Sequence, residues 1–298
     1  MIKKLLFLLL FLSSSVIISQ NTITFSTTST LSTWSPSSFI NSGNLPTWSV
    51  VGGVIVGDDV TNSPVIDLSS NIGTAVITVT SDDGFAGLTE VDVRGKDIST
   101  MDVANATALT RLIAFTNDLT SIDLSNNINL TQLRLQVNDL TALDLTGLNS
   151  LASLDAFSND LTSITLPNSS SLTSVNINNN NLSVLDVSNN SGLLNLFVTG
   201  NVLPTSELDN LVNTLDSFGT SDGTLNIAGN LGGLSSASFV SYTNMDARNW
   251  TFDVLPPTPP PGPQINVVRS DINVSILNGS AADSGNGTDY GQVGIGSP

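Results

Sequence analysis

Between Leu109 and Asn201 the apolar positions recur every 21 residues. Leu109, Leu130, Leu151, Leu172 and Leu193 open the units, and three residues on stand Leu112, Leu133, Leu154, Val175 and Leu196. Eight residues on there is always asparagine: Asn117, Asn138, Asn159, Asn180 and Asn201. Leu119, Leu140, Leu161, Leu182 and Leu203 follow two residues later. A divergent unit precedes these, with Leu88, Val91, Val93, Ile98 and Met101 in register but Lys96 in the asparagine column. A fixed period of this length marks a solenoid, here of about six coils.

Within a coil, the alternating run Leu112-Ile113-Ala114-Phe115 predicts a short strand, apolar side chains inward and variable ones outward. A second alternating run, Ile122-Asp123-Leu124-Ser125, follows in the same coil, so each coil is expected to carry two short strands. The gaps between runs are rich in Asn, Ser, Thr, Asp and Gly and are too short for a helix. Asparagine carries both a donor and an acceptor, so its column can satisfy backbone groups that turn into the core. Asn159→Leu is therefore expected to destabilise more than Asn178→Leu, whose side chain faces solvent.

On either side the period lapses. Residues 20–84 are rich in Ser and Thr and hold two strand-like runs, Val50 to Val56 and Ala75 to Thr80; they read as an N-terminal β cap. After Asn201, Pro204-Thr205-Ser206 precede a helical run from Glu207 to Leu215 closed by Gly219. Ser206 and Asp209 have the spacing of a capping box. Leu225 to Ile227 reads as a strand, Ser236 to Arg248 as a second helix and Trp250 to Leu255 as a final strand. Residues 204–255 are thus an αβ cap, with Phe239 and Trp250 in its core. Six prolines in residues 256–263 make a stiff, extended linker.

The unit LTRLIAFTNDLTSIDLSNNIN resembles the 21-residue bacterial leucine-rich repeat, LxxLxLxxNxLxxLDLxxNxx, of Bacteroidetes-type secreted and surface proteins. The resemblance covers residues 85–203. It implies a mainly β, parallel solenoid and a scaffold that binds a partner, without naming which. Residues 20–84 weakly resemble PKD-like β modules. Residues 204–255 look like the αβ end cap of such repeats, and 264–298 resemble the opening of an Ig-like (choice-of-anchor D) module. Only 35 residues of that module are present, so the natural chain is expected to continue.

At the N-terminus Lys3 and Lys4 precede the apolar run Leu5 to Leu12 and a small-residue segment, the layout of a secretory signal with cleavage after Ser19. The run is shorter than the roughly 20 residues of a membrane span. Export to the cell surface or beyond follows, for a chain that does not span a membrane and is expected to be monomeric. The sequence has no cysteine, so coil-on-coil burial must supply the stability that disulfides give many exported domains. Net charge is −17, becoming −19 once Lys3 and Lys4 leave with the signal. A field of that sign disfavours nucleic acid.

Histidine is absent as well, which removes most metal, thiol and Ser-His-Asp chemistry and leaves no expected cofactor or enzyme activity. Two carboxylate columns, Asp102/Asp123/Asp144/Asp186 and Asp97/Asp118/Asp139/Asp160, could recruit calcium. No coil offers dense ligand spacing, so they read as solvated turn carboxylates. The outward positions of the first strand are more informative. Arg94, Arg111, Phe115, Arg134, Asp155, Phe157 and Phe197 all fall there, and arginine with aromatics marks recognition surfaces. The expected partner is a protein or glycan at a cell surface. The arginines are read as a positive island in an acidic molecule, and replacing Arg111 and Arg134 with Ser is expected to leave the fold intact. The alternative is a spacer in a larger surface protein.

Overall fold

A computed structural model describes residues 21–261. The signal segment, the last two residues of the proline-rich linker and the Ig-like segment lie outside the described residues. The cap comprises β1 (Asn21–Thr27), β2 (Ser38–Asn41), β3 (Thr47–Val51), β4 (Val54–Val56), β5 (Val65–Asp67) and β6 (Ala75–Ser81). The repeats contribute β7 (Leu88–Asp92), β8 (Ile98–Asp102), β9 (Arg111–Ile113), β10 (Gln132–Arg134), β11 (Ala142–Asp144), β12 (Ser153–Asp155), β13 (Ser163–Thr165), β14 (Ser174–Asn176) and β15 (Asn195–Phe197). The C-terminal cap holds α1 (Thr205–Ser217), β16 (Thr224–Asn226), α2 (Phe239–Asp246) and β17 (Thr251–Phe252).

The first strands of successive coils stack in parallel and in register, residue i beside residue i+21: Leu112 pairs with Leu133, Leu133 with Leu154 and Leu154 with Val175. The sheet has nine strands, ordered β17-β16-β15-β14-β12-β10-β9-β7-β2. Inward leucines at each level are fully buried, as at Leu109, Leu112, Leu119, Leu130 and Leu133. Truncating one such leucine to alanine typically costs about 2–5 kcal/mol.

The asparagine column supplies the core's polar wiring. Asn138 Oδ1 accepts the Leu119 N–H of the preceding coil at 3.0 Å, and its Nδ2 donates to the Ala114 and Leu135 carbonyls. Asn159, Asn180 and Asn201 repeat this pattern with Leu140, Leu161 and Leu182. The residue before each ladder asparagine is left-handed: Thr116, Val137, Ser158, Asn179 and Gly200 have φ between 53° and 70°. That twist aims the next side chain inward, at a steric cost for Val137, whose branched Cβ is ill suited to the region.

Both ends are sealed by continuing the sheets. β2 pairs antiparallel with β7, and β1 pairs antiparallel with β8 and β6. Beneath them Phe25, Trp34, Trp48, Ile66 and Phe85 are fully or almost fully buried. Because β8 leaves the solenoid to join this cap, the chain has about five regular coils rather than six. The single strand expected over Val50 to Val56 is broken at Gly52, whose φ of 90° turns β3 into β4.

Three other expectations are corrected. A second strand forms in few coils: β11 and β13 pair with each other, whereas the matching segments around Ile122 and Leu185 have no strand. The far turn that follows is closed identically in both kinds of coil, by Asn127 N–H to Leu124 O in one and Leu148 N–H to Leu145 O in the other. The capping box does not form, because α1 begins at Thr205 without a side-chain cap. Asp209 is instead buried and accepts from Ser235 N–H and Ser238 Oγ, tying α1 to the segment before α2. Finally, Phe239 is only half-buried. Met245 and Trp250 fill the cap core, and Tyr242 stacks on Phe252 at 4.2 Å.

Candidate recognition face

Period 21 places every first-strand outward residue in one of three columns on the solvent side of the parallel sheet. The first runs Glu90, Arg111, Gln132, Ser153, Ser174, Asn195, Thr224 and Thr251. The second runs Asp92, Ile113, Arg134, Asp155, Asn176, Phe197 and Asn226. The third column, two residues further along each strand, holds Arg94, Phe115, Gln136, Phe157, Asn178 and Thr199. Neighbours within a column lie roughly 4.8 Å apart. All seven singled-out residues therefore share this one face, Arg94, Arg111, Phe115, Arg134, Asp155 and Phe157 toward its N-terminal end and Phe197 alone toward the other.

The arginines are not free. Arg94 forks onto Asp92, its Nε donating to both carboxylate oxygens at 2.9 Å. The Asp92 hydrogen bond, with the Asp92 and Glu90 charges, raises the Arg94 pKa above its ordinary value. Its guanidinium also lies 5.0 Å from the Phe115 ring centroid, in cation–π range. Arg111 pairs with Glu90 and donates to Gln132 Oε1 at 3.0 Å, and Arg134 stands 3.6 Å from Asp155.

Glu90 and Asp92 are themselves buried, with 7% and 2% exposure. Three cations thus face three anions, and the expected positive island is a neutral, internally paired patch. Removing Arg111 would also strand a buried Glu90, so Arg111→Ser does not leave the fold untouched. Ile113, outward in register, is only 1% exposed; the longer Arg111, Phe115 and Arg134 stand around it.

The C-terminal half of the face differs. From Ser174 onward its columns carry hydroxyls, amides and Phe197. The one carboxylate, Asp253, is taken up by the Ile227 and Ala228 N–H groups and Thr199 Oγ. Asn176 and Asn226 flank Phe197 in its column, and Asn195 lies two residues before it on the same strand. The Asn176, Asn178, Asn195, Phe197 and Asn226 side chains are half-buried. Asn178 Oδ1 accepts Thr199 N–H at 2.7 Å, so Asn178 too serves a backbone group, which was expected of Asn159 alone.

These amides were not singled out in the sequence, although Asn176 and Asn195 lie in the expected columns. Asn226 was hidden because the step from Phe197 is 29 residues, not 21. Asn230 was missed likewise: it extends the inner ladder by accepting Leu203 N–H and donating to the Val198 and Ile227 carbonyls.

On the opposite side, Asp123, Asp144 and Asp186 each accept the N–H two residues on, from Ser125, Thr146 and Ser188. Hydrogen bonding from the hydroxyls as well as the N–H groups of Ser125, Thr146 and Ser188 holds all three carboxyls below their ordinary pKa. Among the described residues no three carboxylates converge on a point that could hold a cation. Shallow depressions on this side, such as one lined by Ile122, Asp123, Leu124 and Asp144, fall between these turns.

The register, the inward leucines and the asparagine column decide the architecture. It is a parallel β-solenoid. Solved leucine-rich-repeat structures are similar to it in part. The functional domain of InlJ from Listeria monocytogenes is 22% identical, over 54% of this chain and 49% of that one, with a TM-score of 0.29. A leucine-rich-repeat protein of Leptospira interrogans is 20% identical, over 58% and 52%, with a TM-score of 0.37. Internalin C2 of L. monocytogenes is 18% identical, over 52% and 77%, with a TM-score of 0.31. The match spans about half the length of the first two. No protein-family model matches the chain, and no curated protein is similar to it at a significant level.

Proposed function

We propose that this is an exported or surface-displayed binding protein that recognises a protein or glycan through the solvent face of its parallel sheet. The supporting observation is that Arg94, Arg111, Phe115, Arg134, Asp155, Phe157 and Phe197, dispersed over about 100 residues, are gathered by register onto that one face. Rigid stacked strands present them at fixed spacing, which keeps low the ordering cost of binding. Among the described residues no helix is long and apolar enough to cross a membrane.

Labelled protein applied to arrayed glycans and to cell surfaces tests the reading. Binding should fall when Phe115 and Phe157 are both changed to Ala and persist when Asp123 and Asp144 are both changed to Asn. The reverse pattern would place the site on the wrong side. A spacer role is the second reading, favoured by the closure of all three arginine ion pairs within the face. Absence of any binding, with the fold intact, would favour it.

A further inference from the structure

Taking the sheet face as the binding surface, the two halves of that face are chemically unlike, and the difference selects a ligand class. The N-terminal half is charged but self-neutralised. The C-terminal half, from Ser174 to Asn226, offers no unengaged charge in a chain whose net charge is −17. Its centre is one ring, Phe197, with Asn176 and Asn226 one coil away on either side and Asn195 beside it on its own strand. The Asn176 carboxamide oxygen accepts Asn178 N–H at 3.3 Å, and the Asn195 and Asn226 carboxamides make no hydrogen bond within the described residues.

We infer that this half is a subsite for a neutral oligosaccharide. A pyranose presents an apolar C–H face, which suits a half-buried aromatic ring, bordered by hydroxyls that both donate and accept. Carboxamides are the side chains that match this, since each supplies two donors and an acceptor without charge. With coils about 4.8 Å apart, the two flanking amides stand roughly 10 Å from each other, enough to straddle one sugar ring stacked on Phe197. An anionic glycan or basic peptide finds no counter-charge here. The seven Thr, Ser and Asn positions around the ring leave a shallow polar floor rather than a pocket for an apolar side chain.

The test uses the secreted full chain on an array holding neutral, sulfated and carboxylated oligosaccharides, read at low and high salt. Binding should be confined to neutral sugars and insensitive to salt. It should fall about tenfold in Phe197→Ala and in Asn226→Ala, and be retained in Phe197→Tyr, which keeps the ring. Melting temperatures of the variants separate lost binding from lost fold.

Binding to charged oligosaccharides or to protein alone would overturn the subsite. So would loss of binding in Arg134→Gln with Phe197→Ala unaffected, although the sheet face would then stand as the binding surface. Binding unchanged by every substitution on the sheet face would overturn both.

Discussion

The solenoid contains two asparagine columns, and only one of them is uninterrupted. At the ladder position every regular coil has asparagine. Ten residues on, at the far turn, asparagine appears only as Asn127 and Asn190, with Ala106, Leu148 and Ser169 at the equivalent places. Both sets are buried. The difference is in what their carboxamides receive. Ladder Oδ1 atoms accept a backbone N–H of the preceding coil that finds no other bond among the described residues, while Asn127 Nδ2 donates to the Val103 and Ala106 carbonyls. Those carbonyls already accept Ala106 N–H and Leu109 N–H. Asn127 Oδ1 has no partner among the described residues. A buried N–H without an acceptor is far less tolerated than a carbonyl with one bond instead of two, so one column admits Ala and Leu and the other does not.

That contrast can be broken experimentally, most severely at Asn159. Asn159→Leu orphans Leu140 N–H and removes donors from the Leu135 and Ala156 carbonyls, and should lower unfolding free energy by about 3 kcal/mol in urea titrations. Val137→Asn should act oppositely. It replaces a β-branched residue at φ 59° with one that tolerates that region, and should add about 1 kcal/mol, read as a higher melting temperature. The Val137 side chain is 43% exposed, so little packing is lost. Asn127→Leu, which copies what Leu148 already does in the next coil, should change stability by less than about 1 kcal/mol.

The smallest effect concerns pH. Asp123, Asp144 and Asp186 have lowered pKa values in the folded state, so their contribution is complete above the ordinary carboxylate pKa and is lost as pH falls through the folded value. Asp144→Asn should therefore cost slightly more stability at neutral pH than at about pH 3, in paired urea titrations. An equal loss at both pH values would show that the turn bond to Thr146 does not depend on the charge.

Much of this was legible in the residues, for a physical reason. Where each coil repeats the same environment, period, inward leucines and ladder columns are all written 21 residues apart, and the outward columns with them. The ion pairs were legible too but unread, since the period sets Glu90 beside Arg111 and Arg134 beside Asp155. Information that is not repeated was harder. The second strand has the same alternation around Ile122 as around Leu143, and Asp123 and Asp144 both bond the N–H two residues on, yet only the segment at Leu143 pairs as a strand, a difference that pattern alone does not carry. Asp209 matches a capping box by spacing and is drawn away by Ser235 and Ser238, which come 26 and 29 residues later.

The candidate face depends on the ladder, because the strands that carry Arg134, Phe157 and Phe197 are held in register by the backbone groups the asparagines satisfy. Native-state hydrogen exchange of the Leu140 amide in Asn159→Leu tests that dependence most directly. The amide should lose about 100-fold of its protection while the amides of β9 and β7, two and three coils from Asn159, keep theirs. Unchanged protection at Leu140 would show that another acceptor takes its N–H and that the ladder is not what holds the sheet together.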